Sequence, residues 1–257
     1  MNNESISKWM ELIELSCGDL KINHIDIIID QSGSEFSLLP VLSSFEVSIQ
    51  WVSLFSGLPE EVLEHDSPLL IRIDLKNGLH RQWMIELASQ HSHSGQLLIL
   101  CSTWPFAALA SYLKSYINIE CGGQEGIFRF FDSRIFPFLF SHVLTTQQQR
   151  YLLRPAIFWS WMDRDNTPRQ ISGDGNLLSS REEVPVLVLS DKQLEDLMCI
   201  CDANLLLRHL TKPAKLKMNQ EQLFLFCYEG MITATNRGLL MDDERDEFVK
   251  NLLSIAS

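Results

Sequence analysis

Across the first two thirds of the chain, apolar runs of strand length alternate with stretches where apolar residues recur at helical spacing. The predicted strands are Ile25–Asp30, Leu69–Asp74, Gln96–Ser102, Ile117–Cys121, Gly126–Phe131 and Ala156–Asp163, built largely from β-branched, leucine and aromatic residues. Between them, helices are predicted at Ser5–Leu15, Ser34–Phe45 (interrupted by Pro40), Pro59–His65, Leu79–Gln90, Pro105–Tyr116 and Thr145–Leu153. Turns are expected at Ser32–Gly33 and Gly122–Gly123, and a long loop at Asp163–Asn176. This alternation predicts an α/β lobe, a mixed sheet with flanking helices.

The rhythm then changes. After the apolar run Val184–Ser190, Ser190 with Gln193 forms a capping box ahead of a helix over Leu194–Leu210, and Pro213 closes that region. Asn219 with Gln222 repeats the device before Leu223–Arg237, and Gly238 sits where that helix should stop. A last helix opens on acids at Asp242 and places Phe248, Val249, Leu252 and Leu253 on one face. The expected organisation is an α/β lobe over residues 1–185 and a small all-helical lobe over residues 186–257.

Composition narrows the function classes. A hydrophobic fraction of 46% with 21% charged residues is ordinary for a folded chain. With 33 acidic against 21 basic residues the formal charge is −12, which argues against a nucleic-acid or anionic-membrane surface. The local exception, Arg208, His209, Lys212, Lys215 and Lys217, reads as a basic helix end and linker. The start of the chain lacks the pattern of a secretory signal, and its longest uncharged stretches are broken by proline, so no membrane insertion is expected. Scattered cysteines without a signal point to reduced thiols in the cytoplasm.

The search for chemistry returns little. There is no nucleophile elbow, Walker loop or dinucleotide fingerprint. His91 and His93 lack further ligands at a metal-binding spacing, and Cys199 and Cys201 point apart on a helix. The segment Asp163, Asp165, Asn166 resembles the start of a calcium loop but has Pro168 at the position that demands glycine. No cofactor, metal site or enzymatic activity is expected.

One segment stands apart: "FRFFDSRIFPFLF", Phe128–Phe140, sets Arg129, Asp132 and Arg134 among aromatic residues. As a strand it would place Arg129 and Phe131 on one face and Phe128, Phe130 and Asp132 on the other, with Asp132–Ser133 capping the helix that follows. Burying a charge unpaired is costly, so these side chains either form an ionic latch at a strand-to-helix corner or recognise a partner's carboxylate or peptide. The latch is the preferred reading.

This segment resembles the arginine–aromatic–aspartate–arginine signature of type VI secretion effector adaptors, the Tap or Tec chaperones. Three further blocks are similar to that family in order and spacing: Val52–Asp74, Leu97–Glu120 and Leu144–Asn166. Ser133 stands where the family usually has proline. The resemblance implies a cytoplasmic, non-enzymatic chaperone that holds a type VI effector and helps load it on a VgrG or PAAR-type spike protein. A cleft between the lobes would then receive an effector segment, helical in form, with Trp104, Phe106, Trp159 and Trp161 as candidate apolar anchors beside the Arg129, Asp132, Arg134 set; core packing is the competing role for each aromatic. Two alternatives remain open: a hydrolase-like α/β enzyme using Asp132 or His142, and an immunity protein that plugs a toxin.

Overall fold

The computed structural model describes residues 3–34, 37–45, 49–121, 124–179, 182–184, 186–210 and 217–255. The isoleucine run behaves as its composition requires, forming the strand β1 (His24–Asp30) with every residue after His24 buried. It is central to a six-stranded sheet with β2 (Gln50–Ser53), β3 (Pro68–Asp74), β4 (Leu97–Cys101), β7 (Phe158–Met162) and β8 (Pro168–Ser172), in the order β2-β3-β1-β4-β7-β8. A smaller sheet, ordered β6-β5-β9, combines β5 (Asn118–Cys121), β6 (Gln124–Ile127) and β9 (Val188–Leu189).

Strand residues alternate between two cores. Ile27, Ile29, Leu69, Ile71, Leu97 and Ile99 face the long helices α1 (Asn3–Asp19) and α3 (Gly78–His91), where Trp9, Ile13, Trp83 and Met84 close the layer. Ile28, Leu70, Leu98 and Leu100 face the other way, toward α4 (Phe106–Lys114) and the segment after β6. That second core is continuous with α7 (Asp191–His209), α8 (Gln220–Asn236) and α9 (Asp242–Ile255) through Ile200, Phe224 and Val249. Both faces of the sheet are therefore covered, which is why its strands read as continuous apolar runs. An α/β architecture with a helical carboxy-terminal part is as expected. Within the main sheet, however, every neighbouring pair is antiparallel; mixed pairing occurs only in the small sheet, where β5 runs parallel to β9.

Several local expectations change. Pro40 does not interrupt a helix but opens α2 (Leu39–Ser44) in its first turn. Pro59–Asp66 folds as a 3-10 helix kinked at Leu63. The predicted strand Gly126–Phe131 ends at Ile127: the Phe128 N–H still bonds to the Ile117 carbonyl (2.7 Å), but the chain then closes a turn, Asp132 N–H to the Arg129 carbonyl (3.1 Å), that leaves the ladder. The predicted loop Asp163–Asn176 contains β8, a polar edge strand with proline at its first position. Among the described residues of Val184–Ser190, only Val188–Leu189 is strand. Both capping boxes form as predicted, and Gly238 has the positive φ, 79°, expected just past α8. The turn Gly122–Gly123, the helix-closing Pro213, and Lys212 and Lys215 lie outside the described residues. Among the described residues, no helix is long and apolar enough to cross a membrane.

Candidate functional site

The aromatic segment after β6 wedges beneath the sheet. Phe130 and Phe136 meet Trp159 edge-on or tilted at centroid distances of 6.5 and 5.1 Å, and Phe136 meets Trp161 at 5.6 Å. With the rings taken inward, a turn closed by the Asp132 N–H to the Arg129 carbonyl (3.1 Å) leaves the charges at the rim. Asp132 Oδ1 accepts the Arg134 N–H at 2.9 Å, and the Arg134 guanidinium folds back onto the same carboxylate (Nε–Oδ1 2.9 Å, Nη2–Oδ2 2.6 Å). This carboxylate holds the guanidinium even further above its ordinary pKa. The Asp132 side chain caps no helix: α5 (Phe136–Phe138) has Ile135 as its flanking residue and continues into a π-helical turn, Leu139–Val143.

Arg129 does not join that pair. It donates to Asp30 Oδ2 at the end of β1 and to Ser32 Oγ (2.8 Å), and stacks over the Phe131 ring at 5.6 Å. Burial lifts the Asp30 carboxyl above its usual range against the pull of Arg129. The expected triad is thus two latches, Arg134–Asp132 and Arg129–Asp30, tying the segment to itself and to the sheet. Its fixed neighbour is Gly95, in the turn between α3 and β4. Gly95 has φ +77°, its carbonyl accepts the Ser133 N–H at 3.0 Å, and an added Cβ would lie 2.7 Å from both Arg134 Cγ and Asp132 Oδ1.

The loop after β7 supplies a third charged junction that local sequence did not reveal. Arg164, 9% exposed in its side chain, donates to both oxygens of Glu221 (3.1 Å each), to Asn204 Oδ1 (2.7 Å) and to the Arg134 carbonyl (2.8 Å). It also stacks over Phe224 at 3.7 Å. Burial lowers its pKa, with Glu221 opposing, and one guanidinium thereby joins β7, α7, α8 and the aromatic segment. Its neighbours do related work: Asp165 accepts the Gln220 and Glu221 N–H groups (2.8 and 3.2 Å) at the start of α8, and Asp163 shapes the loop and pairs with Arg169. The calcium-like spacing is a cap and a turn. The only advance signal was that an arginine stood between two such aspartates.

The candidate anchors are placed otherwise than in a groove. Trp104, Trp159 and Trp161 are core residues, 2%, 0% and 7% exposed. Phe106 is half-buried under the Arg72 guanidinium at 5.4 Å, and Arg72 itself forks onto the fully buried Asp26 across the β1–β3 pairing (2.8 and 2.9 Å). His142 bonds to Ser141 Oγ (2.6 Å) and packs edge-on against Tyr228, while Asp132 is held by Arg134.

An open cavity of about 450 Å³ lies where these junctions meet. The turn after α3 (Ser92–Ser94), Ser133 and Arg134, the end of β7 with Arg164, the last turns of α7 (Leu207, Arg208) and the start of α8 (Gln220, Glu221) form its walls. This polar cleft between the sheet layer and the helices is the candidate site. Neither a curated protein nor a solved structure matches the chain. Residues 27–151, from β1 into α6 (Thr146–Leu153) and including the Arg129, Asp132, Arg134 segment, match the family model described as a domain of unknown function, DUF4123.

Proposed function

We propose that this chain is a type VI secretion effector adaptor: a cytoplasmic, non-enzymatic chaperone that holds an effector polypeptide and helps load it on a VgrG or PAAR-type spike. The observation that carries this reading is the match over residues 27–151, which overlies most of the blocks resembling the Tap or Tec adaptors. The cleft supports it. Its polar rim stands between a rigid sheet and helices joined by Arg164, a setting in which a bound segment meets directional donors without first ordering the walls. The net charge of −12 favours a polypeptide partner over a nucleic acid.

Co-expression with the product of a large neighbouring gene, which the reading expects to encode the effector, tests it. A one-to-one complex surviving size exclusion in moderate salt is expected; failure of the two chains to associate in either mild or low salt would overturn it.

A further inference from the structure

The carboxylates and the Asn204 oxygen in the cavity wall are already occupied. Asp163 takes the Asp165 and Thr167 N–H groups and Arg169, Glu221 takes Arg164, and Asn204 takes Arg164 while donating to the Ile200 carbonyl. Groups able to donate to a ligand remain. Ser92 is 5% exposed, lines the cavity, and its Oγ has no partner among the described residues. Ser133 is buried, and among the described residues only its backbone N–H is engaged. Arg134 uses Nε and Nη2 on Asp132, leaving Nη1 unengaged among the described residues. The side chains of Arg208 and His93 stand exposed on the walls with neither a hydrogen bond nor an ion pair among the described residues.

We propose that this cavity binds a carboxylate, the acidic side chain of a glutamate or aspartate presented by the bound polypeptide. Arg208 and Arg134 Nη1 are the charged donors and the Ser92 and Ser133 hydroxyls the neutral ones. Leu207 and Met162 offer an apolar wall for the side chain's methylenes. A singly charged carboxylate fits better than phosphate because Asp163 and Glu221 line the same walls of an acidic protein, where a dianion meets repulsion. The recognition role thus falls on donors around the latch rather than on the latch. The identity of the occupant as an effector segment rests on the adaptor reading; the chemistry of the cavity does not.

The test follows arginine side-chain N–H signals by NMR during titration with N-acetyl-glutamic acid α-amide. Saturable shifts at Arg134 and Arg208 are expected, absent with the glutamine analogue. Arg208→Gln and Ser92→Ala should each weaken binding about tenfold, the size of one lost charge-assisted or buried hydrogen bond. Both variants should fold, since Arg208 is exposed and the Ser92 hydroxyl bonds to nothing among the described residues. No shift, equal shifts in Arg208→Gln, or tighter binding of inorganic phosphate or N-acetylglycine would overturn the proposal. Effector capture separates the two readings. Capture unchanged in Arg208→Gln sinks the carboxylate site and spares the adaptor; a binding probe with no effector capture does the reverse.

Discussion

Removing the Asp132 carboxylate is the most informative perturbation of the charged rim. Asp132→Ala deprives Arg134 of both guanidinium bonds and of the acceptor for its own N–H. Breaking a buried pair by truncating one partner costs roughly 3–5 kcal/mol. Arg134 keeps 26% of its side chain exposed and can draw water from the cavity, which places the loss near the lower end, about 3 kcal/mol. Arg134→Met should cost at least as much, because it strands a carboxylate only 6% exposed. In the double variant neither charge is left alone, so its cost should fall short of the sum by about 2 kcal/mol. Asp132→Asn, which keeps one oxygen for the Arg134 N–H, should recover about 1 kcal/mol relative to alanine. Urea unfolding followed by tryptophan fluorescence and by far-ultraviolet dichroism measures all four. With a slope of about 3 kcal/mol per M, the single variants should shift the midpoint by about 1 M. Strictly additive losses in the double variant would refute the latch.

Gly95→Ala should destabilise by about 2 kcal/mol or more, since it combines a left-handed backbone with a methyl driven into Arg134 and Asp132; midpoint urea shifts check it. Two helical glycines give opposite signs: Gly18→Ala, with nothing within 4 Å, should gain about 0.5–1 kcal/mol, whereas Gly230→Ala places its methyl 2.9 Å from Val249 Cγ2 and should lose about 1 kcal/mol net. Cys201 is less buried than Cys17, Cys101, Cys199 and Cys227, and burial first, then Asp132 and Asp202, push its thiol up to about 11. Its alkylation by iodoacetamide at pH 8 should therefore run about 20-fold slower than a free thiol's and keep rising toward pH 11, a profile read by mass spectrometry. Trp104→Ala should cost about 3–5 kcal/mol of stability through core loss, because that ring is buried and its Nε1 donates to the Gly175 carbonyl (3.2 Å).

Much of the architecture was legible along the chain because its causes are local. Six buried residues in β1, two reciprocal capping boxes and a glycine past α8 each announce themselves within a few positions. That Arg129, Asp132 and Arg134 required partners also followed from the cost of placing charges among rings. The sequence did not determine which partners they found. Asp30 lies 99 residues from Arg129, and Glu221 lies 57 from Arg164, so those pairs exist only once the sheet and the helices have met. Strand direction was undetermined for a similar reason: a strand buried on both faces shows the same apolar run whether its neighbours run with it or against it. The tryptophans went inward because the second core needed their volume, and only the packed structure could assign them there rather than to a groove. Local patterning thus marked the buried strands and the capped helices but missed β2 and the edge strand β8, and three-dimensional closure decided which charges were satisfied and which donors were left at the cavity.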